Sequence, residues 1–371
     1  MKNNIAQVLL ISFFLALFLK YYLGAESPFI VTMMSAIMMS IGAICFMFIV
    51  FSNNLKLPKV VFVIISLLFF SSFLISIFSE NYRIEDSFLA FIYWGFATIP
   101  LFYKLNYRVF LIVAYTLIVF FVYCMIQGLI PETIFMVSRN FISVLLLIVI
   151  GYHYISAFQN KRNPSIIITI LSSFISVWAG GRSGIIVFSL LLITFPFFAN
   201  LSVFKKILII FTITMVVVLA YNSFSNTLFE VAIYRLNASN SFQDEDRSNM
   251  NLEYVNSAIN SVTYFFSGVP LKSIESMRSV DFNPHNSFIR LHIYYGIIGF
   301  LIVIVLIINS FFLFFKQKNY LYLILFTALL FRSAVDSTAF HGPLDPLIFY
   351  FLFYGLTYKK TWLNSNKKIV A

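Results

Sequence analysis

Long apolar runs alternate with short polar segments along most of the chain, and this alternation predicts a bundle of membrane-spanning helices. A helix needs a run of roughly 17–25 apolar residues to cross about 30 Å of hydrocarbon, and somewhat fewer when flanking side chains snorkel. Twelve such runs cover residues 5–23, 29–51, 60–78, 88–102, 109–130, 141–158, 165–180, 185–199, 207–221, 288–315, 320–335 and 346–358. The seventh and eighth runs are separated only by glycine-rich residues 180–184, where we predict a turn.

One polar segment interrupts this pattern. Residues 222–287 form a loop of 66 residues between the ninth and tenth runs. Within it, Leu252, Val255, Ile259 and Val262 recur at helical spacing, so residues 248–266 predict an amphipathic helix resting on the outer membrane face. The fold prediction is therefore an all-α polytopic membrane protein. Residues 1–371 form one integral membrane domain that contains the large loop 222–287.

Composition excludes a water-soluble globule. Of the 371 residues, 61% are hydrophobic and 11% are charged, whereas an ordinary soluble domain is about 45–50% apolar and about 25% charged. The net charge of +11 first suggests a nucleic-acid partner. In a membrane protein, however, Lys and Arg serve more often as topology signals, so no nucleic-acid partner is predicted.

The charges support an in–out topology with both termini in the cytoplasm. With twelve spans, the inner segments hold fifteen basic residues and no acid, while the outer side holds ten basic residues and all fourteen acids. Eight of the ten outer basic residues are arginines, which grip phosphate in bidentate fashion. They are Arg83, Arg139, Arg182, Arg235, Arg247, Arg278, Arg290 and Arg332.

His285 is the candidate base. It precedes the tenth run, where Asn283 suits an N-cap and Pro284 the first helical position. His285 would then lie in the first helical turn, whose dipole favours the neutral imidazole that a general base requires. The alternative is an interfacial histidine that only bonds a loop. For His153 a structural role is the better interpretation, and His341 has no obvious partner in the sequence.

Arg182 and Arg247 are the leading anion-binding candidates. Arg182 lies in the glycine-rich turn, where a ligand can approach the backbone closely, and Arg247 directly precedes the amphipathic segment. Each could equally be a snorkelling or ion-paired residue.

Three other interpretations are possible from the sequence. Residues 181–184 match a weak G-x-S-G serine-protease pattern, and the acidic residues 244–246 could bind Mg²⁺ or Ca²⁺, although a solvated acidic loop is commoner. A transporter fits poorly, because every charged residue falls at a span end or in a loop.

Three stretches resemble the O-antigen ligase/polymerase superfamily of bacterial envelope glycosyltransferases. They are WAGGRSGIIVF, DRSNMNLEYVNSAINSVTYFFSGVP and NPHNSFIRLHIYYGIIGFL. The resemblance covers about residues 165–315. The sequence departs from the family pattern at Gly181, where a Ser is common, and at Gly268-Val269-Pro270, where a G-x-G turn is common.

The resemblance implies a GT-C-like fold, an inner-membrane location and a periplasmic active site. The donor would be a glycan linked to undecaprenyl pyrophosphate, with Arg182 and Arg247 binding the pyrophosphate, Arg290 as a secondary phosphate ligand, and His285 acting on the acceptor hydroxyl. No metal and no cofactor is implied. The first hypothesis is an O-antigen or capsule polymerase, the second a ligase acting on lipid A core, and the third a lipid-linked glycan transporter. Membrane lipid and a chain-length regulator are the further expected partners.

Overall fold

The computed structural model describes residues 2–24, 27–51, 58–78, 84–135, 138–198, 202–204, 206–207, 242–280 and 282–369. Every regular element in these ranges is a helix, which confirms the all-α class for the part of the chain that the structure describes. Six of the described helices are long and apolar enough to cross a membrane, and four shorter ones are also apolar. Their length and composition indicate a membrane-embedded protein.

Fourteen α-helices carry the described fold. In chain order they are α1 (Lys2–Tyr22), α2 (Pro28–Phe51), α3 (Lys59–Phe78), α4 (Ile84–Phe102), α5 (Tyr107–Ile126), α6 (Pro131–Phe135), α7 (Asn140–Gln159), α8 (Ile166–Trp178), α9 (Arg182–Phe198), α10 (Phe242–Ile259), α11 (Val262–Ser267), α12 (Ser287–Lys316), α13 (Tyr320–Ala334) and α14 (Asp345–Ile369).

Eleven of the twelve predicted apolar runs coincide with one of these helices. The remaining run, residues 207–221, lies outside the described residues apart from residue 207, as do residues 222–241 of the large loop. A turn is present close to the predicted residues 180–184, but it is shorter and lies nearer the N-terminus: α8 ends at Trp178 and α9 begins at Arg182, so residues 182–184 are helical.

The chain divides into two compact units that alternate along the sequence. The first unit comprises Met1–Ile37, Lys104–Gln243 and Asn319–Arg332, and the second comprises Met38–Tyr103, Asp244–Lys318 and Ser333–Ala371. In the first unit α7 is the central helix, with residues buried on every side. It packs with α5, α8 and α9, and this agrees with its apolar sequence, since a helix that is hydrophobic all round is a buried one.

The second unit is built around α4, α12 and α14, with α3 packed against them. Trp94 of α4 is fully buried, and its ring centroid lies 5.8 Å from that of Phe349 and 6.5 Å from that of Tyr295. Helix α12 is interrupted at Gly296, whose φ is 61°. Ser71 of α3 donates a hydrogen bond of 2.5 Å to the carbonyl of Tyr295 beside this break.

The amphipathic segment forms two helices rather than one. Helix α10 ends at Ile259, and the Ser261 side chain caps the short helix α11 by accepting from the backbone N–H of Tyr264. A serine at this position competes with helix continuation, because its hydroxyl satisfies the first amides of a new helix instead.

The two faces of α10 differ sharply. Met250, Tyr254 and Ala258 face inward and form a small core with Val269, Ile274 and Met277 of the loop and with Ile289 and Ile293 of α12. The predicted apolar stripe faces outward instead. Leu252, Val255, Ile259 and Val262 are 60%, 47%, 67% and 78% exposed. An outward apolar stripe of this kind is typical of a helix lying at a membrane interface.

A buried hydrogen-bond chain joins α10 to α12. The Tyr254 hydroxyl lies 2.9 Å from His292 Nδ1, and His292 Nε2 lies 2.8 Å from the carbonyl oxygen of Phe265. Because a carbonyl oxygen only accepts, Nε2 donates to it and Nδ1 accepts from the Tyr254 hydroxyl. His292 therefore joins the two helices and has a structural role.

Candidate functional site

His285 lies before helix α12, and the predicted cap was wrong. The N-cap is Asn286, whose side chain accepts from the backbone N–H of Phe288 at 2.9 Å. The Asn283 side chain instead accepts from the backbone N–H of His285 at 3.1 Å, within a turn. His285 therefore lies just outside the first turn, and the helix-dipole argument for its neutral ring does not apply in the predicted form.

The backbone around His285 is unusual. His285 has a φ of 46° and Phe282 one of 57°, and the neighbouring residues Phe340 and His341 also have positive φ values. Such conformations cost non-glycine residues about 1–3 kcal/mol each and cluster at functional sites. Four of the six described non-glycine residues with positive φ therefore lie in two short segments, residues 282–285 and 340–341.

Asp336 stands beside His285 and was missed in the sequence analysis. His285 Nδ1 lies 3.8 Å from Asp336 Oδ1, and both side chains are mostly shielded, at 25% and 17% exposure. This separation is longer than a hydrogen bond, so the Asp336 carboxylate attracts the Nδ1 side of the His285 ring through its charge. The available signal was its position, since Asp336 is one of only fourteen acids and follows an apolar run directly.

Hydrogen bonds join the segment that carries His285 to the segment that carries Asp336. The Ser287 hydroxyl donates to the carbonyl of Asp336 at 2.6 Å and accepts from the backbone N–H groups of Thr338 and Ala339 at 3.0 Å each. The Ser337 hydroxyl donates to Asn283 Oδ1 at 2.7 Å. Such bonds preorganise a pair of side chains, which is what a reacting site requires.

Arg290 braces the same segment and lines a cavity. It donates to the carbonyl oxygens of Ser337 and His341 at 2.8 and 2.9 Å, and its guanidinium lies 5.4 Å from the Tyr294 ring centroid. The cavity has a volume of about 230 Å³ and is lined by Leu271, Phe282, Asn283, Pro284, Arg290, Ile293, Tyr294 and Ser337. We call it the Arg290 cavity. Arg290 thus holds the segment of residues 337–341 in place through these two hydrogen bonds. Phosphate binding by Arg290 stays a prediction.

Two buried titratable groups lie in the segment that Arg290 braces. Burial lowers the pKa of His341 to about 3, with a further contribution from Arg290, so its ring is neutral; its ring centroid lies 4.3 Å from that of Tyr294. Burial raises the pKa of Asp345 to about 7, although its carboxylate accepts from the backbone N–H groups of Phe340, His341 and Gly342. His341, which had no partner in the sequence analysis, is therefore a packed structural residue.

Arg247 lies on the face of α10 that reaches the His285 segment. Its side chain is half-buried, and Asn251, one turn further along, accepts from Asn286 Nδ2 at 3.4 Å. Residues four apart share a helix face, about 6 Å apart along the axis. The structure therefore brings Arg247, His285 and Arg290 into the same unit, with the Arg247 face directed towards the residue after His285.

Arg182 belongs to the other compact unit. It is the first residue of α9, half-buried, directly after the tightly packed Gly181. A Cβ atom at Gly181 would lie 2.5 Å from Asn140 Oδ1, so a larger residue there would require the Asn140 side chain to move. In the other compact unit, backbone conformation and close packing both require glycine at residue 268. Gly268 has a φ of 83°, and a Cβ there would lie 2.8 Å from the Cα of Ile293.

Arg332 is a buried neighbour of the Arg182 turn. It is 1% exposed, donates from Nη1 to the Ser183 hydroxyl and from Nη2 to the carbonyl of Asn140 at 3.3 Å. This contact disfavours the serine-protease interpretation, because an activated serine needs a base at its hydroxyl and a guanidinium is only a donor. The charge pattern places Arg332 among the outer arginines, and no feature of the sequence predicts its burial.

The metal-binding alternative rests on residues 244–246, whose side chains lie outside the described set. Among the described residues, no group of three or more His, Cys, Asp or Glu side chains is arranged to hold a metal ion.

Comparison with protein-family models, with curated proteins and with solved structures finds no match to this chain. The functional conclusion therefore depends on the residues and geometry described above.

Proposed function

We propose that this protein is a bacterial inner-membrane glycosyltransferase, an O-antigen or capsule polymerase that uses a glycan linked to undecaprenyl pyrophosphate. The observation that carries the proposal is the His285–Asp336 pair beside the Arg290 cavity, at the end of an apolar helix long enough to span a membrane. A base, a carboxylate that orients it and nearby cations are the groups that glycosyl transfer from a pyrophosphate donor requires.

In this reaction the acceptor hydroxyl oxygen attacks the anomeric carbon of the donor glycan. The bond from that carbon to the pyrophosphate oxygen breaks, and the electron pair leaves with the pyrophosphate. His285 Nε2 takes the acceptor proton, while the Asp336 carboxylate stabilises the imidazolium that forms. General-base catalysis of this kind contributes about 10²–10⁴-fold to the rate.

Cations stabilise the departing pyrophosphate, whose negative charge grows as the bond breaks. Arg247 is assigned this role because its helix face reaches the His285 segment through Asn251 and Asn286. Arg290 adds positive charge at the wall of the cavity. Arg182 enters the proposal through the motif that it shares with the family, and its substitution is a separate test.

The finer topology also belongs to this proposal. It has twelve spans in a GT-C-like arrangement, cytoplasmic termini and a periplasmic active site, and it is supported by the alternation of basic inner and acidic outer segments. Cysteine labelling at Lys272 and at Lys161, positions predicted to lie outside and inside, tests it with a reagent that does not cross the membrane.

Deleting the gene and examining lipopolysaccharide and capsule tests the reaction. Loss of a polymerase leaves core carrying a single repeat unit, whereas loss of a ligase leaves bare core and accumulated lipid-linked glycan. Complementation with His285→Ala separates both enzymes from a transporter, which needs no base. Unchanged lipopolysaccharide and capsule in the deletion strain would contradict the proposal.

A further inference from the structure

A second polar pocket lies in the first compact unit, at one end of helices α1, α5 and α7. It has a volume of about 440 Å³, and its walls include the cations Lys104, Arg108 and Arg162. None of its lining residues, all of which the structure describes, is acidic. We call it the basic pocket. Three cations without a carboxylate produce a positive potential that favours an anion.

The basic pocket is preorganised by the segment that follows α7. Gln159 Oε1 accepts from the backbone N–H of Leu105 at 2.8 Å, and Asn160 Nδ2 donates to the carbonyl of Leu105 at 2.7 Å. The Arg162 guanidinium lies 5.2 Å from the Tyr107 ring centroid. A topology signal needs only charge on the correct side of the membrane, whereas here polar side chains hold the segments that carry the cations together in a concave site.

An apolar groove begins one helical turn from the basic pocket and is built by the same three helices. Gln7 of α1 lines the pocket and Ile11 lines the groove, and on α5 the corresponding residues are Arg108 and Ile112. Four residues correspond to about 6 Å along a helix. From Ile11 the groove extends along α1 to Phe18, a distance of about 10 Å.

The groove has the shape and lining of a binding site for a hydrocarbon chain. Its volume is about 340 Å³ and its walls are almost entirely apolar. The buried residues Phe14 and Ile148 form its floor, while Leu15 and Ile112 on its rim are 56% and 63% exposed, so the groove opens outward. Thr116 is the one hydroxyl in its wall, and that hydroxyl donates to the backbone carbonyl of Ile112.

We infer that the pocket and the groove together bind an anionic membrane phospholipid, with its phosphate among Lys104, Arg108 and Arg162 and one acyl chain in the groove. Basic pockets between membrane helices at the cytoplasmic face recognise anionic headgroups in this way. All three cations belong to segments that the charge pattern places in the cytoplasm. The site is independent of the proposed glycosyl transfer and would anchor α1, α5 and α7 to the inner leaflet.

Native mass spectrometry of the full-length protein tests this assignment. Phosphatidylglycerol and phosphatidylcholine with identical acyl chains are the probes, and phosphatidylglycerol should be retained preferentially. Replacing Lys104, Arg108 and Arg162 together by Gln should weaken phosphatidylglycerol binding by on the order of a hundredfold, or roughly fivefold for each cation. The matched control replaces Lys161, Lys206 and Lys318 by Gln. This removes three basic residues outside the pocket and should leave the preference unchanged.

Two further arms identify the ligand. Thr116→Trp fills the groove from its exposed wall and should weaken long-chain phosphatidylglycerol more than a short-chain analogue, and it remains informative if the triple variant does not fold. Inorganic phosphate should compete only at far higher concentration than the lipid. Equal retention of both lipids, an equal loss in the control triple, displacement by phosphate at lipid-like concentration, or stronger binding of a polyprenyl phosphate would each overturn the assignment.

Discussion

The Arg290 cavity and the basic pocket both contain arginine, but they differ in what stands beside the guanidinium group. Arg290 donates to two backbone carbonyls, and the segment it braces carries Asp336 next to His285. In the basic pocket, three cations share a concavity whose lining contains no acid. A cation held by carbonyls beside a histidine and a carboxylate fits the proposed glycosyl transfer, whereas three cations with no carboxylate among them fit the inferred binding of an anion.

The largest expected effect is that of His285→Ala on glycan transfer, and it tests the chemical role proposed for the site beside the Arg290 cavity. His285→Ala should lower glycan transfer by about 10²–10⁴-fold, because the acceptor hydroxyl loses its base. The polymer ladder on a lipopolysaccharide or capsule gel measures the loss, and the exposed loop variant Lys272→Gln is the control. Full activity in a well-folded His285→Ala protein would remove the chemical role of the Arg290 cavity and favour the transporter.

Asp336 is expected to act through His285, with a smaller effect. Asp336→Asn should reduce transfer by about 10–100-fold, because the charge 3.8 Å from His285 Nδ1 that would stabilise the imidazolium is lost. A double-mutant cycle supplies the sharper measurement. In the His285→Ala background, Asp336→Asn should cause no further loss, since the residue that it orients is already gone. A further loss there would assign Asp336 a purely structural role.

Arg290 tests whether its guanidinium braces the segment that carries Asp336. Arg290→Lys keeps the positive charge but cannot donate to the carbonyls of Ser337 and His341 in the same forked geometry, so stability should fall by about 1–3 kcal/mol. Thermal unfolding in detergent measures this, with the exposed Arg278→Lys as the matched control. If Arg290→Lys matches wild type in melting temperature but loses transfer, Arg290 contacts substrate instead of bracing the segment.

The smallest expected effect is on the pH dependence of stability, because the contributions of His341 and Asp345 change in opposite directions and largely cancel. His341 has a pKa lowered to about 3, so its stabilising contribution is lost as pH falls below about 6.5, the usual value of an unfolded histidine. Asp345 has a pKa raised to about 7, so its contribution is lost as pH rises from the unfolded value of 3.8 through 7.

Single variants should reveal the two opposing slopes. When the pH is lowered from 8 to 5, the melting temperature of His341→Phe should rise relative to that of the wild type. Over the same change, the melting temperature of Asp345→Asn should fall relative to that of the wild type. Parallel behaviour of both variants across this range would contradict the assignment of these opposite slopes to His341 and Asp345.

Much of the fold could be predicted from the sequence because apolar run length is a local property. A segment such as residues 141–158 is helical whatever its neighbours are, since its backbone must be satisfied internally in an apolar environment. The amphipathic stripe from Leu252 to Val262 was also visible as spacing alone. The break at Ser261 was missed because a serine cap competes with helix continuation over only a few residues.

The candidate site was less accessible to sequence analysis. His285 could be identified from its place before an apolar run, but the true cap, Asn286, differs from the predicted Asn283 by three residues. Both asparagines accept backbone hydrogen bonds, and only the observed turn decides which one begins the helix. Asp336 is 51 residues from His285 in sequence, so no local pattern could pair them.

The sequence by itself determined the helical class, the apolar segments, the polar loop and the candidate residues His285, Arg182, Arg247 and Arg290, because hydrophobicity and helical periodicity act over neighbouring residues. Tertiary structure alone decided that Asp336 faces His285, that Arg290 braces that segment, and that Arg332 is buried beneath the Arg182 turn. It also decided that two basic segments, residues 104–108 and 160–162, share one pocket next to an apolar groove. These contacts depend on how distant helix ends meet, and that geometry follows from packing of the whole unit.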